Sequence, residues 1–417
     1  MRRGLRRGLR RTLRRDALHI YLLLEGATAL FFGLVFTVNM VYQVTVVELD
    51  PLQLVLVGTT LEAAVFLFEV PTGVVADAYS RRLSILIGLV LIGAGFALEG
   101  AVPHFVAVLG AQVLWGIGYT FTSGATQAWI ADEVGEKRAG AAFLRGAQVG
   151  QIGGLLGLPI SVGLGLINVQ VPIVLAGVGF IALGAVLAFI MPETRFQPAK
   201  ETERTTWGTM WDTLRAGLRL VRGRRVLLVL LGLSAITGLY SEGFDRLWTA
   251  HLIDTITLPG PDPVLWFGGI ALVARLMTLG ITELIRRELD TTNRRALIRL
   301  RLGLEAVQVV GVLVFALTGQ LWLALAAYWI FAATRGASAP VETAWLNQHL
   351  TPEVRATVFS MTGQVNAVSQ VVGGPVVGAL GTATSIRVAL FTSGLILSTA
   401  LPLLAWALRL ESTTKSA

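Results

Sequence analysis

The sequence predicts an all-α membrane protein with twelve transmembrane helices in two six-helix bundles. Three observations predict it. Hydrophobic residues make up 54% of the 417 and charged residues 14%, with a mean hydropathy of +0.69. A soluble globule carries nearer a quarter charged residues and cannot hide this much apolar surface. The chain also divides into apolar runs of the length, about 20 helical residues, that crosses about 30 Å of hydrocarbon. Finally, a stretch of the first half returns in the second at an offset of six runs.

The first element is a basic segment, residues 1–16, opening "MRRGLRRGLRRTLRR" with eight arginines. Basic flanks beside a span hold that side in the cytoplasm and attract anionic headgroups. Leu5, Leu9 and Leu13 recur every four residues, which fits an amphipathic helix on the membrane surface. No small-residue cleavage site follows the first apolar run, which argues against a twin-arginine export signal.

The N-terminal bundle is expected over 17–191, with spans near 17–46, 52–76, 83–101, 104–131, 138–166 and 170–191. A cytoplasmic linker follows over 192–225. Its "PETRFQPAKETERTT" is polar and irregular, and Trp207, Trp211, Leu214, Leu218 and Val221 then form one stripe of an interfacial helix, with Arg215, Arg219 and Arg222 elsewhere on it. The C-terminal bundle is expected over 226–409, with spans near 226–252, 264–285, 297–318, 321–349, 355–380 and 386–408, and a short tail over 410–417. Arg81, Arg82, Lys137, Arg138, Arg286, Arg287, Arg294, Arg295 and Arg355 all fall in turns on one side. The opposite turns carry no Lys or Arg, so both termini are expected in the cytoplasm.

Several function classes are excluded at this level. There is no cysteine, and the four histidines (His19, His104, His251 and His349) lack metal-ligand spacing, so neither a metal site nor a cofactor is expected. No phosphate-cradling Gly-rich loop with Lys-Ser/Thr occurs. The net charge of +8 belongs to membrane flanks rather than to a nucleic-acid surface. No nucleophile–base set points to an enzyme.

The repeat pairs "QAWIADEVGEKRAGAAFLRGAQ" (127–148) with "TAWLNQHLTPEVRATVFSMTGQ" (343–364). Ala128 and Trp129 align with Ala344 and Trp345. With one residue of slippage, Glu136, Arg138 and Gly146 align with Glu353, Arg355 and Gly363. A six-span offset preserves orientation, and parallel repeats place a substrate site between halves that rock about it.

With "GVVADAYSRR" (73–82) in the second turn of such a chain, the sequence resembles the major facilitator superfamily over nearly its whole length. Gly73, Asp77, Arg81 and Arg82 match the family signature, and Ser80 stands where glycine is usual. "FEVPTGVVADAYSRR" and "SEGFDRLW" look most like the macrolide- and tetracycline-efflux branch of drug:proton antiporters. The resemblance implies that Asp77, Arg81 and the acid ending span 4, here Asp132, form a conformational latch. The alternative is that Arg81 and Arg82 only set topology. Gly73 is expected to let span 2 approach another backbone closely. The resemblance also implies that spans 1, 4, 7 and 10 line the cavity. The span-4 arginine of many antiporters is replaced by Gln112. The span-5 glycine-proline motif is displaced, with Gln151 near the usual proline and Pro159 further on. Gly373, Gly374, Pro375 and Gly378 in span 11 match that motif better, and they fit plain helix packing equally well.

Ionisable side chains in a span mark functional candidates. Glu25 lies about 10–12 Å inside span 1 by helical rise, a candidate proton carrier. Glu62 and Glu69, seven apart, share a face of span 2; each is either a transport residue or a structural ion-pair partner. Glu242, Asp245 and Arg246 occupy adjacent turns of span 7, with Glu242 and Arg246 spaced either for an intrahelical bridge or for a ligand clamp. Arg275 and Arg335 call for acidic partners, which Glu62, Glu242 or Asp245 could supply as bridges between the halves. Glu305 has no evident role on an outward-facing span. Trp115, Trp129, Phe36, Tyr42 and Gln43 are expected to wall the cavity. Together these residues predict a monomeric secondary exporter of amphiphilic small molecules driven by protons. The rival is a carrier of an endogenous solute such as a siderophore, lipid or organic anion, clamped by Arg275 and Arg335. A receptor is disfavoured by the lack of a signalling domain.

Overall fold

The computed structural model describes residues 2–198, 208, 215, 225–256, 258–260, 262–289, 293–348, 350 and 352–413, with side chains for all of these except 2–16, 352–357 and 411–413. The linker positions Trp207, Trp211, Leu214, Leu218, Val221, Arg219 and Arg222, along with His349 and the side chains of Leu5, Leu9, Leu13, Glu353 and Arg355, lie outside the described residues. Among the described residues the regular structure is entirely helical.

In chain order the helices are α1 (Arg2–Thr45), α2 (Pro51–Ala78), α3 (Arg81–Ala101), α4 (Phe105–Thr122), α5 (Ala125–Val134), α6 (Glu136–Gly165) and α7 (Gln170–Ile190). After the linker come α8 (Arg225–Ala250), which continues as a π-turn over His251–Ile256, then α9 (Pro263–Glu288), α10 (Arg294–Leu317), α11 (Leu321–Asn347), α12 (Pro352–Ala383), α13 (Ile386–Ser398) and α14 (Ala400–Thr413). Among the described residues ten segments are long and apolar enough to cross a membrane, α4 with α5 and α13 with α14 each counting as one. The long helices α11 and α12 occupy the positions where the sequence predicts the tenth and eleventh spans.

The helix starts are written in the sequence. Asp50-Pro51-Leu52-Gln53 forms a reciprocal cap: the Gln53 N–H donates to Asp50 Oδ1 and the Asp50 N–H to Gln53 Oε1, each at 3.0 Å. Proline takes the first helical position, where its missing N–H costs nothing. Ser80, Asn293, Ser385 and Asp262 cap α3, α10, α13 and α9 through their side chains.

The chain separates into two compact units. Unit 1 comprises Met1–Val47 and Ala64–Thr209; unit 2 comprises Glu48–Ala63 and Met210–Ala417, so the first part of α2 groups with the second half of the chain. In unit 1, α1 packs on α6 and α7, and α3 on α4 and α7. A Cβ on Gly153 would lie 2.3 Å from the Gly26 carbonyl oxygen, and one on Gly157 2.6 Å from that of Leu30, so α1 and α6 meet backbone to backbone. In unit 2, α8 packs on α12 and α13, and α10 on α11 and α13. Gly373 would meet the Leu239 carbonyl at 2.5 Å, while Gly374 and Gly378 each face Val55 of α2 at 3.0 Å. Pro375 lies within this contact stretch of α12. Gly73 departs from expectation. A Cβ there meets nothing within 4 Å, so its smallness serves no close approach in this structure.

Trp129, in α5, and Trp345, in α11, are both fully buried within their own units.

Candidate functional site

Unit 1 holds a polar centre in an otherwise apolar interior. Glu99, near the C-terminal end of α3, is completely buried. Its carboxylate accepts from Gln43 Nε2 at 2.7 Å, Gln112 Nε2 at 3.0 Å and Asn39 Nδ2 at 3.4 Å. The Tyr42 hydroxyl donates to the Glu99 carbonyl at 2.6 Å. Asn39 and Gln43 lie one turn apart on α1, and Gln112 comes from α4. Three of the candidates named from sequence, Tyr42, Gln43 and Gln112, thus converge on a residue that sequence reasoning passed over. The available signal was a pair of amide side chains at i,i+4 spacing within an apolar run.

Glu25 lies on α1 beside Tyr21, whose hydroxyl bonds it. It lines a cavity of about 180 Å³ with Phe32, Phe180, Tyr119 and Thr126. Next to this lies an aromatic cluster. Phe32 stacks on Phe36 with centroids 5.5 Å apart, and Phe36 and Phe96 lie 5.6 and 5.4 Å from Trp115. The Trp115 Nε1 is buried with no acceptor among the described residues. Trp129 is not part of this wall. Its Nε1 donates 2.7 Å to the Pro192 carbonyl, at another polar corner of the unit.

That corner gathers the α2–α3 turn, α5 and the start of the linker. Arg81 pairs with Asp132 and donates to the Ala128 carbonyl at 2.9 Å. Ser80, the residue that departs from the signature, donates 2.6 Å to Glu193, which also accepts the Arg82 N–H at 3.0 Å. The Arg82 guanidinium reaches the Ala188 carbonyl. Glu133 receives the backbone N–H groups of Thr194 and Arg195 at 2.6 and 3.1 Å. Gly135, at φ +86°, ends α5 and lets α6 begin at once. The expected Arg81–Asp132 pair is therefore present, and the acids Glu133 and Glu193, missed in sequence, tie the linker to it. Asp77 is half-buried and makes no ion pair among the described residues. A cavity of about 820 Å³ opens nearby, lined by His19, Arg138, Arg145, Arg195 and Glu133.

In unit 2 the charges pair with one another. Arg246 Nε donates to Glu242 at 2.8 Å, the intrahelical bridge, and Glu62 of α2 lies within electrostatic reach of both. Arg335 of α11 grips Asp245 of α8 with two bonds, 2.6 and 2.8 Å, and lies 5.7 Å over the Tyr240 and Phe331 rings. Both members belong to the same unit, so this bridge does not join the halves as expected. Glu305 has a clear role after all. It is fully buried, paired with Arg301 four residues earlier, and Arg301 also reaches Glu342 at 3.5 Å. Arg275 is exposed and forms no ion pair among the described residues, so it does not face Arg335 across a shared acid. Glu69 is likewise exposed and is grouped with unit 1, whereas Glu62 is grouped with unit 2.

The sequence matches the family profile "Major Facilitator Superfamily" over residues 24–331. It is 20% identical over 339 residues to the uncharacterized MFS-type transporter YxaM of Bacillus subtilis (strain 168), covering 81% of this chain and 82% of that protein. Solved structures of the same fold include a bacterial homolog of the human lysosomal transporter Spinster, with TM-score 0.72, 14% identity, and 95% and 97% of the two chains covered. The nucleoside transporter NupG matches with TM-score 0.69 and 15% identity over 94% and 98%. A POT family transporter in complex with a thioalcohol-conjugated peptide matches with TM-score 0.66 and 13% identity over 95% and 96%.

Proposed function

The chain belongs to the major facilitator superfamily, a family of transporters and not of enzymes, and we propose that it exports amphiphilic small molecules across the cell membrane by proton antiport. It works as a monomer with both termini in the cytoplasm. The observation that carries this reading is the Glu25 cavity, in which one carboxyl stands among Phe32, Phe180 and Tyr119. Aromatic faces bind apolar bodies with little geometric demand, and a lone carboxyl selects a cationic or protonatable head. Competition between a proton and a cationic solute for one carboxylate is the simplest way to couple the two movements. Glu62 and Glu69 remain further candidates for proton transfer.

In this reading Asp132, Arg81, Arg82 and Asp77 form the latch that favours one pose of the halves. Gln112, lacking the charge of an arginine, leaves the proton route to carboxyls. The rival reading, a carrier of an endogenous organic anion, needs two available arginines. Its motivation is weakened by Arg335, whose guanidinium is already engaged by Asp245.

The test is movement of cationic dyes and antibiotics in proteoliposomes under an imposed pH gradient. Solute accumulation is expected to collapse when an ionophore dissipates the gradient, and unchanged accumulation would remove proton antiport. Transport that survives Glu25→Gln, Glu62→Gln and Glu69→Gln together would take these three acids out of the mechanism.

A further inference from the structure

We propose that Glu99 is a reversible proton-binding site, alternating between an ionised form that accepts amide N–H bonds and a protonated form that donates to an amide oxygen. Export by proton antiport supplies the use of such a site, and to that extent the inference rests on the reading above; proton binding itself does not depend on it.

The geometry supports both states. Glu99 and Gln43 are 0% exposed, Gln112 1% and Asn39 5%, so none of the four exchanges its partners for water. A carboxylate in such surroundings is held by donors or becomes neutral. Here the donors are the N–H groups of Gln43, Gln112 and Asn39. Each glutamine has a second, oxygen end, and Gln43 Oε1 and Gln112 Oε1 are both buried with no hydrogen-bond partner among the described residues. A buried acceptor left unsatisfied costs about 1–3 kcal/mol.

Rotating the terminal amide of Gln43 exchanges its nitrogen and oxygen, which are nearly the same size. The oxygen then stands 2.7 Å from Glu99 Oε1, the ordinary length of an O–H···O bond. With Glu99 protonated, its O–H donates to that oxygen. With Glu99 ionised, the amide returns its N–H. Each charge state therefore has a matching amide orientation, and no backbone movement is required. The proton comes from water and returns to it, and only an O–H bond forms or breaks. A cation seated between these oxygens would force them beyond hydrogen-bond distance, so the spacing fits a proton.

The elements packed around Glu99 bring these further groups. On α1 the ionisable neighbour is Tyr42, whose hydroxyl is committed to the Glu99 carbonyl. On α7, Gln170 Nε2 bonds the Gly100 carbonyl at 2.8 Å, and that helix carries no ionisable side chain. The ionisable residue of α4, Tyr119, belongs to the Glu25 cavity, and the acids of α5 lie at the opposite end of α3, beside Arg81.

Infrared difference spectra of the purified full-length protein between acid and alkaline pH test the proposal, read at the carboxyl C=O stretch in H₂O and D₂O. A component of that band from a buried carboxylic acid is expected in the wild type and in Glu25→Gln, and lost in Glu99→Gln. In Gln43→Met the ionised form loses a charge-assisted donor, while the protonated form loses a weaker neutral acceptor that Gln112 Oε1 can replace, so the Glu99 component should persist to about tenfold lower proton concentration. Should Glu99→Gln not fold, the Gln43→Met shift still decides. A band left unchanged by Glu99→Gln, an unmoved midpoint in Gln43→Met, or displacement of the Glu99 component by sodium at constant pH would each overturn the proposal. A protein whose Glu99 titrates but that moves no solute would refute the transport reading while leaving the site standing. Gradient-driven transport with no Glu99 band would do the reverse.

Discussion

In unit 1 the buried Glu99 is met by the amides of Asn39, Gln43 and Gln112; in unit 2 the equally buried Glu305 is met by the guanidinium of Arg301. Both carboxyls lie in apolar surroundings where an unsupported charge is expensive. The partners differ in what they allow. A guanidinium favours the charged form of its acid, because protonating the acid removes the cation's nearest partner. An amide has a donor end and an acceptor end, and so can serve either state of its acid. Glu305 is therefore placed to hold its charge, and Glu99 to exchange it.

The sharpest way to break this contrast is to neutralise each acid. Glu305→Leu leaves Arg301 with Glu342 at 3.5 Å, and stability should fall by about 3 kcal/mol, read as a large drop in melting temperature in detergent. Glu99→Gln keeps a side chain of the same shape among amides that can reorient, and should cost about 1 kcal/mol or less. Equal losses would show that the two acids play the same structural part.

A second, smaller effect separates two glycines. Gly153→Ala pushes a methyl to 2.3 Å from the Gly26 carbonyl oxygen, and forcing α1 from α6 should cost about 1–3 kcal/mol. Gly73→Ala meets open space and should change stability by no more than about 0.5 kcal/mol. If its transport rate nevertheless falls, the glycine of the signature serves a pose other than this one.

The smallest effect belongs to the α2–α3 corner. Asp132→Asn removes the charge partner of Arg81 at a site part-exposed on both sides, for a stability loss of about 0.5 kcal/mol. Its signature should instead be kinetic, a changed transport rate with the melting temperature nearly intact.

Much of this architecture could be read from the chain. The last span, expected over 386–408, is found over Ile386–Leu410, because apolar runs of bilayer length leave a helix few other options. Asp132 was found through the signature and the repeat, and the Glu242–Arg246 bridge through its i,i+4 spacing. Glu99 was lost because it stands two residues from the end of its span, where a carboxylate ordinarily marks the water boundary. Only the tertiary approach of α1 and α4 shows that the boundary is dry. Glu305 was misjudged for a related reason. An apolar helix of this kind reads as outward-facing, and only the fold buries Glu305 with Arg301, one turn earlier. Arg335 found its acid within its own unit because α8 and α11 bring Asp245 to it, a pairing that charge alone left open among Glu62, Glu242 and Asp245.

Solute-coupled proton movement in proteoliposomes, recorded for wild type and Glu99→Gln side by side, tests the exchange of charge at Glu99 most directly. The wild type should move protons against solute. Glu99→Gln should still pass solute, but with fewer protons moved per solute, those that remain being carried at Glu25. A Glu99→Gln protein that keeps the wild-type ratio of protons to solute would contradict the account.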